Sequence, residues 1–310
     1  MAFAPAVATE TVPCPLCASL AFEILFSAGD YEYGLPGEFF VSRCRQCGLM
    51  VQNPRPAFSE ILRYYTEAYE PHHSPGTALV RRLRHRVLVQ PKLRLIRSLV
   101  GDTGDVIDIG CGSGALLADL AQFGHWRLMG VEPNREAAAS ARGRGLTIAA
   151  TVVEEAQVAA QSQDVAIMNH VLEHLPDPRQ TVAHVQTLLR PGGHFIGEVP
   201  SPQCVERVLF GRYWGGYHLP RHLTFFSRDQ LTRFLAQAGF REIRVRRVIQ
   251  PSSWLTSASN YFRSRNSAAA RFVSPHGFIL LAAGVLPALA LKVLGSAPIL
   301  AFSCRKPSCR

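Results

Sequence analysis

Val106-Ile107-Asp108-Ile109-Gly110-Cys111-Gly112-Ser113-Gly114 is the stretch that decides the fold. An apolar run carrying one carboxylate passes straight into three glycines at alternate positions. A helical apolar pattern follows, Ala115-Leu116-Leu117-Ala118-Asp119-Leu120. The order spells strand, tight turn and helix, a unit that turns backbone N–H groups at a helix start toward a ligand. Glycine is expected in the turn because a side chain there would keep a ligand off the backbone. Gly110, Gly112 and Gly114 are therefore candidate ligand-binding positions, with Asp108 as the side chain at the strand's end.

Two kinds of ligand fit such a turn. Gly110-x-Gly112-x-x-Ala115 also satisfies the dinucleotide fingerprint, a weak signal by itself. Asp108 separates the two, because a carboxylate there would repel a pyrophosphate and attract a cation. S-adenosylmethionine is such a cation, with an ammonium and a sulfonium. The next strand, 128–131, runs into Glu132, 22 residues after Gly110, where a carboxylate can accept both ribose hydroxyls. This pairing resembles the class I S-adenosylmethionine-dependent methyltransferases. The resemblance implies an α/β fold: a Rossmann-like sheet of seven strands, one of them antiparallel, with helices on both faces.

Upstream lie Cys14-Pro15-Leu16-Cys17 and Cys44-Arg45-Gln46-Cys47, with 26 residues between the pairs. Four thiolates from two tight turns make a closed tetrahedral zinc site. Two Cys-x-x-Cys pairs read as metal ligands rather than a redox motif. Cys14, Cys17, Cys44 and Cys47 are thus the expected structural Zn2+ ligands of a small N-terminal ribbon. The other cysteines, Cys111, Cys204, Cys304 and Cys309, form no set. After the ribbon come Cys47-Gly48-Leu49-Met50-Val51-Gln52-Asn53-Pro54-Arg55-Pro56 and Ile61-Leu62-Arg63-Tyr64-Tyr65. This segment resembles the start of bacterial methyltransferases with an N-terminal zinc-binding domain, a group that includes sugar C-methyltransferases. The resemblance extends, with the motifs below, to about residue 248. It implies an aromatic segment near the cofactor, which makes Tyr64 and Tyr65 lid candidates. Ordinary packing between modules explains them equally well. The expected organisation is ribbon and aromatic linker over 1–70 and a methyltransferase domain over 77–310, carrying an apolar insertion at about 249–295.

The chain has 310 residues, 47% of them hydrophobic, enough for one large α/β domain and a small one. Lysine and arginine outnumber acidic residues 33 to 23, a net charge of +10. Such a surplus suits an anionic partner, namely nucleic acid, an acidic lipid surface or a phosphorylated substrate, or else simply a solvated basic face. Over 77–100 a helical pattern interrupted at Pro91 carries seven basic residues and no acidic one. The start, Met1-Ala2-Phe3-Ala4-Pro5, lacks the charged beginning and long apolar core of a signal peptide. A cytoplasmic protein is expected, with a peripheral contact at the inner membrane face as one reading of 278–291. That run holds 14 uncharged residues, short of the roughly 20 a spanning helix needs. A buried core hairpin is the other reading.

Within the main domain Asn134 caps a helix, and 146–150 forms the third strand. The fourth, 164–168, leads into Asn169-His170-Val171-Leu172-Glu173-His174. In the resembling family this segment closes over the methionine side of the cofactor, which nominates Asn169 and His170 as cofactor-binding. His170, Glu173 and His174 could pass for a metal cluster, but their spacing is helical and reads as capping or packing. Asp177-Pro178 opens a helix, and 194–199 is the fifth strand. No Asn/Asp-Pro-Pro-aromatic sequence follows the fourth strand. That pattern is typical of enzymes that methylate exocyclic base nitrogens, and its lack favours an oxygen or carbon acceptor. Next come Tyr213-Trp214-Gly215-Gly216-Tyr217-His218-Leu219-Pro220-Arg221-His222, then a capping box at Ser227-Arg228-Asp229-Gln230. The loop resembles the family's Pro-Arg-His-Leu loop, where a histidine is a candidate base. His222 is accordingly the candidate general base, with His218 and Tyr217 shaping the acceptor site. Strands at 241–248 and 297–302 complete the sheet.

These observations imply methyl transfer from S-adenosylmethionine to an oxygen or carbon on a small molecule, sugar, glycolipid or prenylated compound. Two rivals stay open: a ribosomal RNA methyltransferase with a zinc ribbon, and a cofactor-binding scaffold without catalysis.

Overall fold

The computed structural model describes residues 7–65, 89–250, 252–265, 267 and 296–308. The strands begin with β1 (Thr9–Glu10), β2 (Phe22–Ala28), β3 (Phe39–Cys44), β4 (Met50–Gln52) and β5 (Arg55–Pro56), followed by the short helix α1 (Phe58–Ile61). The main domain runs α2 (Gln90–Val100), β6 (Thr103–Ile109), α3 (Ala115–Phe123), β7 (His125–Val131), α4 (Arg135–Arg142), β8 (Thr147–Ala149) and β9 (Gln163–Asn169). It continues with α5 (Pro178–Leu188), β10 (Leu189–Pro200), α6 (Val205–Phe210), β11 (Thr224–Phe225), α7 (Arg228–Gln237), β12 (Arg241–Val248), α8 (Ser252–Ser264) and β13 (Ile299–Arg305).

Seven of these strands form one sheet in the order β12-β13-β10-β9-β6-β7-β8. β10, β9, β6, β7 and β8 run parallel. β13 lies between β10 and β12, antiparallel to both. The period-two geometry of strands explains why the central ones are apolar throughout. Ile107, Ala166 and Met168 enter the core on one face of the sheet, whereas their neighbours Val106, Val165 and Ile167 enter the core on the other.

Local chemistry sets the boundaries. Asn134 accepts from the N–H groups of Glu136 and Ala137, and Asp177 accepts from Arg179 and Gln180. Ser227 and Gln230 form the expected reciprocal cap on α7. Pro91 sits in the first turn of α2 as described, and the part of the expected helical pattern before residue 89 lies outside the described residues. A first-turn proline gives up an N–H that has no intrahelical partner anyway. β10 begins at Leu189, earlier than the sequence suggests, but its regular pairing with β9 starts at His194, past the irregular Pro191-Gly192-Gly193.

The four-stranded N-terminal sheet has the order β11-β4-β3-β2. Its outer strand β11 comes from the loop before α7, far along the chain. Cys14, Leu16, Cys44 and Leu49 are buried in the same core as Phe226, Leu231 and Phe234. The small module therefore has no core of its own and is built onto the main domain. The linker and most of the basic run (66–88), the apolar stretch 278–291 and Cys309 lie outside the described residues. Among the described residues no helix is long and apolar enough to cross a membrane.

Candidate active site

The carboxyl ends of β6, β7, β9 and β10 meet at the glycine-rich turn, where open α/β sheets bind ligands. Gly110, Gly112 and Gly114 all have positive φ (70°, 54° and 73°). A Cβ on Gly110 would lie 2.4 Å from Val171 Cγ2, and one on Gly114 would lie 2.5 Å from Leu146 Cδ1. At these two positions protein packing and backbone conformation by themselves require glycine. Glu132, at the end of β7, is buried, and its carboxylate accepts from the Gly112 N–H (2.8 Å) and the Asn134 N–H (2.9 Å). Those bonds hold it in one place. Burial raises its pKa against them. Asp108 is buried at the end of β6, and burial pushes its carboxyl up to about 7, with Lys92 opposing and Glu132 reinforcing the shift. Together they form a pair of buried carboxyl groups at the ends of neighbouring strands.

Lys92 escaped sequence reading because it counted as one more charge in a basic run. It reaches from α2 to pair with Glu198 at 2.9 Å. Glu198 lies opposite Asn169 in the β10–β9 register. His170 adopts φ 54° and donates its backbone N–H to the Glu198 carbonyl at 2.8 Å. Its ring lies 3.4 Å from Glu173 and 3.9 Å from Glu198. Asn169 and His170 thus stand at the end of β9, beside the end of β10.

The second half of the site is a histidine cluster on the turn 218–222. The His218 carbonyl accepts the N–H groups of both Arg221 and His222, which folds the turn tightly. The His222 ring lies 4.9 Å from that of His218 and 4.5 Å from that of His174, centroid to centroid. His222 Nδ1 is 2.9 Å from the Gly216 carbonyl. A carbonyl only accepts, so Nδ1 carries the proton and Nε2 is the acceptor nitrogen. Nε2 lies 3.9 Å from Glu173 Oε1. Burial holds His222 well below the usual histidine range, as it does His174. Glu173 is fully buried, and neither carboxylate oxygen has a hydrogen-bond partner among the described residues. The donor atoms of Glu173, His174 and His222 lie within 4.8 Å of one another, so the two residues expected to cap or pack also meet the turn at His222. Tyr217 is buried against Phe26, Trp214 and Phe225, so it supports the turn from behind. Tyr65 Oη meets His174 Nδ1 at 2.9 Å, whereas Tyr64 is a packing residue that donates to the Pro36 carbonyl.

The four ribbon cysteines converge. Cys14 Sγ and Cys47 Sγ are 3.5 Å apart, as are Cys17 and Cys44, and all four sulfurs lie within 4.8 Å of one another. No disulfide joins them. Tetrahedral zinc with Zn–S bonds of about 2.3 Å needs sulfurs roughly 3.8 Å apart, so the donor set fits the ion. Burial pushes the Cys47 thiol up to about 11, while backbone N–H groups and neighbouring thiols bring Cys44 down to about 7.

Residues 79–245, more than half the chain, match the family model described as a methyltransferase domain. The chain belongs to this family. The methyltransferase is 38% identical over 95 residues to the ubiquinone biosynthesis O-methyltransferase of Serratia proteamaculans, covering 29% of this chain and 39% of that one. It is 29% identical over 170 residues to the enzyme of the same name from Cupriavidus pinatubonensis, covering 50% and 68%. Among solved structures it resembles the 1,6-didemethyltoxoflavin-N1-methyltransferase of Burkholderia thailandensis. That match has TM-score 0.51 and 18% identity, and covers 85% of this chain and 98% of that one. Phosphoethanolamine N-methyltransferase 2 of Haemonchus contortus matches with TM-score 0.52 and 16% identity, covering 93% and 69%. These structural likenesses concern the fold. The methyltransferase carries the seven-stranded mixed sheet of the class I S-adenosylmethionine-dependent enzymes, preceded by a small four-cysteine module.

Proposed function

We propose that this methyltransferase moves a methyl group onto an oxygen or carbon of a small hydroxyl-bearing acceptor, of the sugar, glycolipid or prenylated class, with His222 as general base. The observation that carries the reading is the fixed tautomer of His222 beside a buried carboxylate. The Gly216 carbonyl occupies Nδ1–H, which makes Nε2 the proton acceptor. Glu173, 3.9 Å away, would stabilise the imidazolium that forms when Nε2 takes the acceptor's proton. Glu173 works against burial and the neighbouring His174 and His218, which together still favour the neutral imidazole that can accept a proton. S-adenosylmethionine, when bound, supplies an electrophilic methyl group. Asp108 would pair with its ammonium and Glu132 with its ribose hydroxyls, while Asn169 and His170 would close the methionine side. The glycine turn would give backbone N–H groups. Alignment of acceptor and methyl is the protein's other contribution.

The names of the curated relatives favour an oxygen acceptor, although the Serratia match spans only 39% of that enzyme. The four cysteines would hold a structural zinc that fixes the two turns of the N-terminal module. Incubation with methyl-labelled S-adenosylmethionine and fractionated cell extract tests the reading. Label is expected in the small-molecule or lipid fraction. Label in RNA, with filter binding that collapses between low and moderate salt, would overturn it in favour of a nucleic-acid enzyme. Cofactor binding with no label in any fraction would point to a scaffold.

A further inference from the structure

The segment between β2 and β3 was silent in the sequence, yet it reaches into the histidine cluster. Glu32 Oε2 lies 2.8 Å from His218 Nδ1. Two residues earlier, Asp30 pairs with Arg221 at 2.8 Å, both side chains fully buried. The Arg221 guanidinium sits over the Tyr33 ring, 4.3 Å from its centroid, and donates to the Tyr64 carbonyl at 2.7 Å. Gln52 Nε2 donates to the carbonyls of Pro220 and His222, each at 2.9 Å. The N-terminal module therefore grips the turn 218–222 along its length.

The Asp30–Arg221 pair and Gln52 already anchor the turn, so Glu32 is not needed for attachment. What it adds is specific to the imidazole. A carboxylate accepts, so the His218 proton is drawn to Nδ1 and Nε2 becomes the acceptor nitrogen. His218 also holds φ 37°, ψ 46°, a conformation that residues with side chains rarely adopt. Its ring is kept within 4.9 Å of His222. A small cleft, open to solvent, runs along this seam, lined by Gly29, Tyr31, Glu32, Trp214, Tyr217 and His218 among others.

We propose that Glu32 of the N-terminal module is a positioning residue, holding His218 with Nδ1 protonated so that Nε2 takes a hydrogen bond from the methyl acceptor beside His222. The inference rests on the methyl-transfer reading, and it makes the cysteine module a wall of the acceptor site.

The test uses the full chain with ¹⁵N-labelled imidazoles. Two-bond proton–nitrogen spectra, with His218 assigned by loss of its signals in His218→Gln, should show the Nδ1-protonated tautomer. Glu32→Ala should lose that preference. Glu32→Gln keeps the shape without the charge and guards against a folding defect. Both should transfer label at least about tenfold more slowly to the acceptor fraction, as expected when the carboxylate that orients a histidine is removed. Affinity for S-adenosylhomocysteine should stay within about twofold of wild type, because Glu32 lies outside the cofactor half. An Nε2-protonated His218 in the wild type, or label transfer by Glu32→Ala at the wild-type rate, would overturn the inference. Wild-type protein that neither binds S-adenosylhomocysteine nor transfers label would instead sink the methyl-transfer reading, and the tautomer spectra keep the two failures apart.

Discussion

The site's chemistry starts from buried groups whose ionisation is displaced. Asp108 has a raised pKa, about 7, because its carboxyl is out of water beside Glu132. An ammonium can pair only with the ionised form, so binding below pH 7 must release a proton. The sign follows from linkage: affinity for S-adenosylhomocysteine should rise with pH, at most about tenfold per unit, and level off above pH 7. Calorimetry from pH 5.5 to 8.5 checks this, and Asp108→Asn should flatten the profile. A flat wild-type profile would mean that Asp108 does not meet the cation. His174 and His222 are displaced the other way, below their unfolded value. The unfolded chain then binds more protons as pH falls through about 6.5, so these two histidines lower stability on acidification. Raised pKa values at Asp108 and Glu132 work against that trend. The cofactor should ionise both carboxyls, so acid lability should be steeper with S-adenosylhomocysteine bound than without it. Thermal melts at pH 5 and 7 with and without ligand measure that difference.

At the scale of elements, the cysteine turns and the strands they lead into form the small sheet. Cys44→Ser removes one of four converging sulfurs and should release the metal, leaving roughly the first 60 residues open to protease, since metal binding and folding are coupled in so small a module. Protein purified without stoichiometric zinc yet fully protease-resistant would contradict this. The cysteine spacing and the strand–glycine–helix unit were legible because each is a local pattern with one physical meaning. So were the caps at Asn134, Asp177 and Ser227. Glu32, Asp30 and Gln52 were not legible at all. Their partners lie some 170 to 190 residues away, and no local period marks such a pairing. Glu173 and His174 were visible as residues, but their neighbour His222 was not, because helical spacing says nothing of a partner supplied by a distant turn.

For the molecule as a whole, the two parts are one structure. β11 of the main domain completes the small sheet, and the Asp30–Arg221 pair is buried across the seam. Removing one partner of a buried ion pair leaves the other charge uncompensated, typically at a cost of about 3–5 kcal/mol. Arg221→Met should therefore lower unfolding stability by that order in a urea titration. Asp30→Asn combined with Arg221→Met should recover part of it. A loss below about 1 kcal/mol would show the seam to be loosely held. In the proposed mechanism His222 takes the acceptor's proton while a separate set of residues holds the cofactor. The most direct measurement compares wild type and His222→Ala for single-turnover label transfer to the acceptor fraction, alongside S-adenosylhomocysteine affinity. Transfer should fall by about 10²–10⁴ with affinity nearly unchanged. Transfer at the wild-type rate, or a parallel loss of cofactor binding, would contradict the assignment.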